Sequence, residues 1–257
     1  MNALDSFRID GQVAVVTGAG QGLGRAVALA FADAGADVAV VARRQNTIED
    51  VARAIEARGR RALALPADLR DPTAPAKLVK AVTDRFGKID IWVNNAGGTD
   101  DATAYKLADT SEEHWDHVVD LNMKSVWRCS KEVAKVIAPG GSIINMSSIF
   151  ATKGAENGYG PYAASKAAVN ALTRILSLEL APRGVRVNAV APGPVPTESF
   201  RKAGIGANAD LKQLAKDWGV PLGRVGEPED VANACLYLAS PAASWVSGHV
   251  LVVAGGM

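Results

Sequence analysis

Short apolar runs alternate with amphipathic stretches along nearly the whole chain. Gln12–Thr17 is an apolar run ending in glycines, which suits a strand buried on both faces. Arg25–Ala34 carries apolar residues at helical spacing and stops at Gly35. Asp37–Ala42 predicts a second buried strand, Thr47–Arg58 a helix closed by Gly59, and Ala62–Pro66 a third strand. Pro72–Phe86 predicts a helix closed by Gly87, and Ile89–Asn94 a fourth strand. The scheme then repeats. Ser111–Ala138 reads as one or two helices, Ser142–Ser147 as a strand, Pro161–Ala181 as a long helix and Val185–Ala191 as a strand. Pro228–Leu238 is a helix with an acidic first turn, which the helix dipole favours, and His249–Val253 a final strand. Strands alternating with helices at this spacing imply parallel βαβ units. The expected fold is α/β, a Rossmann-type doubly wound parallel sheet with helices on both faces. No Pro/Ser-rich linker divides the chain, so residues 1–257 are expected to form a single domain.

Two stretches break the rhythm. Thr99–Thr110 is polar and expected to be loop. Pro192–Gly226 is long, with prolines and glycines punctuating weak helical segments. Long irregular segments in compact domains are often lids. Ligands of open α/β sheets bind beyond the carboxyl ends of the strands. A substrate lid is therefore expected at about 194–226.

Composition narrows the function classes. The 28 basic and 27 acidic side chains give a formal charge of +1 without a basic stripe, so neither nucleic acid nor a membrane surface is an expected partner. The two cysteines, Cys129 and Cys235, form no CxxC pair, and no metal site is expected. His114 and His117 share a helical face but sit among Glu112, Glu113 and Asp116, which reads as a solvated surface. The first ten residues lack an apolar signal region and no apolar run is long enough to span a bilayer, so the cytoplasm is the expected location.

Chemistry concentrates in two places. The first strand runs into Thr17-Gly18-Ala19-Gly20-Gln21-Gly22-Leu23-Gly24, a GxxxGxG turn placed to cradle a pyrophosphate at a helix N-terminus. The second strand ends Ala42-Arg43-Arg44 with no acid to accept from ribose hydroxyls. Arg43 could pair with a 2′-phosphate, so NADP(H) is favoured over NAD(H). Stacking on adenine, or exposure to water, is the alternative explanation for Arg43 or Arg44. Gln21 weakens the NADP case slightly, since a basic residue there would have helped. The second place is the long helix, where Tyr162 and Lys166 lie one turn apart on one face. A nearby ammonium is expected to lower the phenol pKa toward neutrality. Ser148, fourteen residues before Tyr162, stands at the end of the preceding strand and could hold a substrate oxygen. Ser147 competes with it, but alternation sends the two to opposite faces.

With these residues in this order, the chain resembles the short-chain dehydrogenase/reductase superfamily from about Arg8 to Gly256. The motifs that carry the resemblance are Thr17–Gly24, Asp68, Asn94-Asn95-Ala96-Gly97, Asn122, Ser148, Tyr162 to Lys166, and Pro192-Gly193 with Thr197. The resemblance implies an NAD(P)-dependent oxidoreductase that interconverts a carbonyl and a secondary alcohol by hydride transfer. It makes Tyr162 the general acid–base, Lys166 its modulator and ribose ligand, Ser148 the substrate-orienting hydroxyl, and Asn122 the holder of a relay water. Gly18, Gln21, Gly22, Leu23 and Gly24 would meet the pyrophosphate. Asp68 and Leu69 would flank adenine, and Asn95, Ala96 and Gly97 would pack along the ribose. Pro192, Gly193, Val195 and Thr197 would fix the carboxamide. Ala254 departs from the aspartate many relatives carry.

The general features are similar to 3-oxoacyl-(acyl-carrier-protein) reductases, and two stretches resemble bacterial hydroxysteroid dehydrogenases. The expected activity is NADPH-dependent reduction of a ketone or 3-oxoacyl compound. The alternatives are an NAD-dependent alcohol or hydroxysteroid dehydrogenase and, more remotely, a non-catalytic NADP(H)-sensing protein. Gly98, Ile149, Phe150, Glu156, Tyr159 and the Phe200–Trp218 stretch are expected to line an apolar substrate pocket. A homotetramer is implied, with Tyr237, Trp245 and Val252 as candidate contacts that core packing would explain equally well.

Overall fold

The computed structural model describes residues 2–99, 106–154, 159–198 and 210–257. Seven parallel strands form one sheet in the order β3-β2-β1-β4-β5-β6-β7. They are β1 (Val13–Thr17), β2 (Asp37–Ala42), β3 (Ala62–Pro66), β4 (Ile91–Asn94), β5 (Ser142–Met146), β6 (Arg186–Pro192) and β7 (Val250–Val253). The helices are α1 (Gly22–Asp33), α2 (Gln45–Glu56), α3 (Ala74–Phe86), α4 (Glu112–Val119), α5 (Ser125–Val133), α6 (Gly160–Leu180), α7 (Leu211–Asp217) and α8 (Pro228–Ala239).

Alternation in the inner strands assigns their side chains to two cores. Ala14 and Val16 of β1, with Val38 and Val40 of β2, face a layer built from α1 and α8, including Phe31, Val231 and Leu238. Val13 and Val15, with Ala39 and Val41, face the opposite layer around Trp92, Val82 and Val133. Burial on both faces explains why β1 and β2 read as unbroken apolar runs rather than alternating ones.

The strand order turns around between β1 and β4, so the chain leaves those two carboxyl ends in opposite directions and opens a crevice there. A buried polar chain ties the next strands together. Trp92 Nε1 donates to Asn94 Oδ1 at 2.7 Å, Asn94 Nδ2 to Asn145 Oδ1 at 2.8 Å, and Asn145 Nδ2 to Thr173 Oγ1 of α6 at 2.9 Å. This chain registers α6, which carries Tyr162 and Lys166, against β4 and β5.

The structure corrects the sequence pattern in one place and sharpens it in two. The first helix begins at Gly22 rather than Arg25, because the two glycines of the turn already lie in its first turn. The helical stretch after Ser111 is split by a π-helical turn, Asp120–Lys124. Within the expected lid, Leu211–Asp217 is helical, capped by the Asp210 side chain on Lys212 N–H. Among the described residues no helix is long and apolar enough to cross a membrane.

Replacing Asn145 by Leu should take one acceptor from the Asn94 amide and the donor from the Thr173 hydroxyl, leaving them Ser130 Oγ and Val169 O. We expect a loss of about 2–4 kcal/mol, seen as a drop of roughly 5–10 °C in thermal midpoint. An unchanged midpoint would remove the structural role of this chain.

Candidate active site

The turn after β1 is closed by one hydroxyl. Thr17 Oγ1 donates to Val93 O at 3.1 Å and accepts the backbone N–H groups of Asn95 and Ala96 at 2.9 and 3.0 Å. Asn95 Nδ2 returns to Thr17 O and Gly18 O at 2.8 and 3.2 Å. These bonds lock the carboxyl ends of β1 and β4 side by side. Gly18 has φ +65°, and a β-carbon on it would lie 2.8 Å from Ala96 Cα. A β-carbon on Gly24 would collide with the Gly18 carbonyl. Both positions therefore require glycine. Gln21 is the N-cap of α1 but makes no capping bond with its side chain. The helix N-terminus behind it suits an anion.

At the end of β2, Arg43 and Arg44 are exposed and line the mouth of the crevice. Arg44 Nη2 donates to Gln21 Oε1. Asp68, after β3, accepts from the Arg70 guanidinium at 2.7 Å and from Arg70 N–H at 3.0 Å. The Arg70 hydrogen bonds hold its carboxyl below the usual carboxylate range, and the more distant Arg43 adds to this. His117 lies against Arg70, with ring nitrogens 3.0 and 3.2 Å from Nη1.

The reactive residues gather beyond β5. Ser147 turns toward α6 and donates to Asn170 Oδ1 at 2.7 Å. Ser148 caps the short turn that follows by accepting from Phe150 N–H at 3.2 Å, and its side chain approaches Tyr162 closely enough to lower the pKa of the phenol. Lys166 is 2% exposed and donates to Met146 O at 2.8 Å. Its ammonium stands 5.5 Å from the centre of the Tyr162 ring, over the face. Burial pulls the Lys166 pKa down from 10.5 to about 8.

Tyr162 corrects the sequence-based expectation. Burial raises its pKa, the Ser148 hydrogen bond opposes this, and Tyr159 adds to the rise. The Lys166 ammonium donates to the Met146 carbonyl and stands over the face of the ring. Asn122 also has a task that sequence spacing did not suggest. It is fully buried in the π-helical turn and exchanges bonds with Gly98, Nδ2 to O at 2.7 Å and Oδ1 from N–H at 3.0 Å. Its Oδ1 and the Lys166 ammonium both converge on Gly97, 2.6 and 3.1 Å from where a β-carbon would stand.

The remaining wall is β6 and its exit. Gly193 N–H donates to Val253 O at 2.9 Å, and a β-carbon on it would lie 2.8 Å from Ala254 Cβ. Thr197 leans on the start of α1, with Cγ2 3.1 Å from the corresponding point on Gly22. Next to Tyr162 lies an aromatic group that the sequence offered only as candidate lining. Phe150 and Tyr159 have ring centres 4.8 Å apart, Phe150 and Trp218 6.0 Å, and Tyr159 and Tyr162 6.5 Å. The candidates Glu156 and Phe200 lie outside the described residues.

The chain is similar to known proteins in sequence and fold. Residues 18–257 match the family model described as enoyl-(acyl carrier protein) reductase. A 3-oxoacyl-[acyl-carrier-protein] reductase of Vibrio cholerae is 38% identical over 253 residues, covering 98% of this chain and 99% of that protein. A short-chain dehydrogenase of Burkholderia cenocepacia, solved in complex with NADP, superposes with a TM-score of 0.88 at 34% identity, covering 97% of this chain and 98% of that one. A 7α-hydroxysteroid dehydrogenase solved with NADH and 7-oxoglycochenodeoxycholic acid gives a TM-score of 0.90 at 34% identity, covering 100% and 98%. The chain belongs to the short-chain dehydrogenase/reductase family. It is an oxidoreductase acting on CH–OH groups, in a family that binds NAD(P).

The residues present fit such a dinucleotide. One cavity of about 480 Å³ runs from the glycine turn past Arg43 and Asp68 to Ser148, Tyr162 and Lys166. The sequence-predicted site residues all line it except Asn122, which sits behind Gly97 and Gly98. Sequence reasoning missed Gly20, Thr47, Leu121 and Met146 in the lining. Gly20 belongs to the glycine turn and Met146 precedes the serine pair, so position alone signalled those two. Nothing in the sequence pointed to Thr47 or Leu121.

The buried lysine gives a pH signature. Between about 8 and 10.5 the unfolded lysine binds a proton that the folded one has released, so stability rises with pH across that window. Relative to Lys166→Met, the wild type should gain up to about 3 kcal/mol over this interval. Urea unfolding of both proteins at pH 8 and pH 10 reads the difference, and parallel behaviour would contradict it.

Proposed function

We propose that this oxidoreductase reduces an apolar ketone or a 3-oxoacyl compound with NADPH, with Tyr162 as the proton donor. The observation that carries the reading is Ser148 and Tyr162 side by side in one cavity, with the buried ammonium of Lys166 over the phenol ring. Gly18, Gln21, Gly22, Leu23 and Gly24 would hold the pyrophosphate. Asp68 and Leu69 would flank adenine, while Asn95, Ala96, Gly97 and Lys166 would hold the ribose next to the nicotinamide. Pro192, Gly193, Val195 and Thr197 would fix the carboxamide. The bound nicotinamide supplies the hydride for reduction and accepts it in oxidation.

Ser148 orients the substrate oxygen, and Tyr162 gives it a proton. A phenol whose pKa is raised by burial stays protonated at neutral pH, which keeps the acid loaded for reduction. Alcohol oxidation needs the phenolate instead. There the ammonium over the ring opposes the burial penalty. Asn122 holds the loop of Gly97 and Gly98 and, in this reading, a water that passes protons from Lys166 to solvent.

Two observations favour NADPH. β2 ends on Ala42, which offers no carboxylate to ribose hydroxyls, and Arg43 lies near enough to Asp68 to perturb it. The aromatic group of Phe150, Tyr159 and Trp218 supports an apolar substrate. The same group favours a second reading, an NAD-dependent hydroxysteroid dehydrogenase, since the similar 7α-hydroxysteroid dehydrogenase carries NADH and a bile acid. We read residues 1–257 as one domain with a lid at about 194–226, assembled as a tetramer. Trp245 is 99% exposed, and Val252 is more than half exposed. Both side chains would be covered in such an assembly.

Tyr162→Phe should abolish turnover, by a factor of about 10³ or more, while fluorescence titration still shows cofactor binding. Retained turnover would remove the proton-donor role. Alcohol oxidation should speed up, and ketone reduction slow down, as pH rises through the Tyr162 titration. A panel of ketones, 3-oxoacyl thioesters and oxosteroids, followed by nicotinamide absorbance, separates the substrate classes.

For the cofactor, Arg43→Ala should weaken NADPH roughly tenfold more than NADH. Equal losses for the two would remove the 2′-phosphate assignment.

A further inference from the structure

Four aromatic rings follow one another from the reactive phenol to the residue that closes α7. Tyr162 meets Tyr159 edge-on, with ring centres 6.5 Å apart. Tyr159 meets Phe150 at 4.8 Å, and Phe150 meets Trp218 at 6.0 Å, both pairs tilted. All four residues line the cavity. The row is anchored at two points. Phe150 N–H donates to Ser148 Oγ at 3.2 Å, which ties it to the hydroxyl that orients the substrate in the proposed reaction. That hydroxyl accepts this bond and keeps its own proton to donate. Trp218 N–H donates to Leu214 O at 3.1 Å, and Trp218 packs against the cluster of Leu214, Ala215, Val220 and Val225.

Two further features narrow what this wall accepts. Beside it the cavity is lined by Ile149 and Val195, and the only cation among the described residues at this end is Lys166. Lys166 is buried and donates to Met146 O. A substrate carboxylate here would lose its water without gaining a partner. The Tyr159 hydroxyl is the reverse case. The residue is half-buried, its hydroxyl has no hydrogen-bond partner among the described residues, and burial alone shifts its pKa, upward. A phenol in that state gains a hydrogen bond when a ligand brings an acceptor.

We propose that the cavity selects an uncharged ketone borne on a ring, with a second oxygen on that ring received by the Tyr159 hydroxyl. The proposal rests on the ketone-reduction reading above. A planar ring packs edge and face against tilted rings, and its rigidity keeps the cost of ordering low. An open acyl chain buries similar area but freezes a rotor at nearly every carbon. Tyr159 is thus a specificity-determining residue, and Phe150 and Trp218 complete the wall.

The test is kcat/KM with NADPH for a set of matched ketones. They are acetophenone, its meta and para hydroxy, methyl and carboxy derivatives, and an open-chain methyl ketone of equal carbon number. Hydroxyl and methyl are close in size, so the ratio of those two derivatives reads the hydrogen bond. One hydroxy isomer should exceed its methyl counterpart in the wild type, and Tyr159→Phe should lower that ratio roughly fivefold. Comparing one ratio between two proteins cancels the intrinsic reactivity of the ketones. It also cancels any effect of Tyr159 on Tyr162, which it faces edge-on. Acetophenone should exceed the open-chain ketone about tenfold, and Trp218→Leu should narrow that margin. The carboxy derivatives should be the poorest ring ketones. An open-chain ketone reduced as well as acetophenone overturns the proposal. So does a hydroxy-to-methyl ratio that Tyr159→Phe leaves intact, a margin that Trp218→Leu leaves intact, or a carboxy derivative that matches the methyl one. Each of these outcomes leaves the reductase reading standing. Failure of NADPH to reduce any ketone or 3-oxoacyl thioester overturns both.

Discussion

The site depends on one costly arrangement, an ammonium buried beneath a phenol. Desolvating a charge of this kind is unfavourable by several kcal/mol before any compensation. The carbonyl of Met146 is the acceptor that keeps Lys166 in place. That carbonyl stands at the carboxyl end of β5, the strand that leads directly to Ser147 and Ser148. The same backbone exit therefore anchors the lysine, turns Ser147 into α6 and points Ser148 at Tyr162. Burial disfavours the charged form of both groups, so the phenol is raised and the lysine lowered.

The rest of the fold keeps that arrangement in register with the glycine turn. Two polar clamps do so. The Asn94, Asn145 and Thr173 chain fixes α6 across β4 and β5. The Thr17 hydroxyl with the Asn95 amide fixes β4 against β1 at the point where strand order turns. Neither clamp touches the other, yet both run through β4. A displacement of β4 would therefore shift the phosphate end and the proton end relative to each other. Buried polar chains of this sort are worth more for uniqueness of arrangement than for net stability.

Much of this was legible in the sequence, for physical reasons. Strands buried on both faces leave continuous apolar runs, so β1, β2 and β4 to β6 were found within one or two residues. Helices with one apolar face were found as well. Side chains attached to a strand end or a fixed helical spacing, such as Ser148, Tyr162 and Lys166, could be placed together before any coordinates. What failed was whatever depends on direction within a turn or on contacts between distant segments. The π-helical turn around Asn122 has no periodic signature. The start of α1 was misplaced because glycine is a poor helix former, yet here it occupies the first turn. Spacing shows that a lysine is near Tyr162 but not which way its ammonium points.

The phosphate end shows the same lesson in its sharpest form. From the sequence, Gln21 counted against NADP, because a neutral side chain replaced an expected cation. In three dimensions that side chain is engaged, since Gln21 Oε1 accepts from the Arg44 guanidinium, and an amide leaves the charge of the cation uncancelled. The contact is invisible until the start of α2 is seen to return to the start of α1, twenty-three residues earlier.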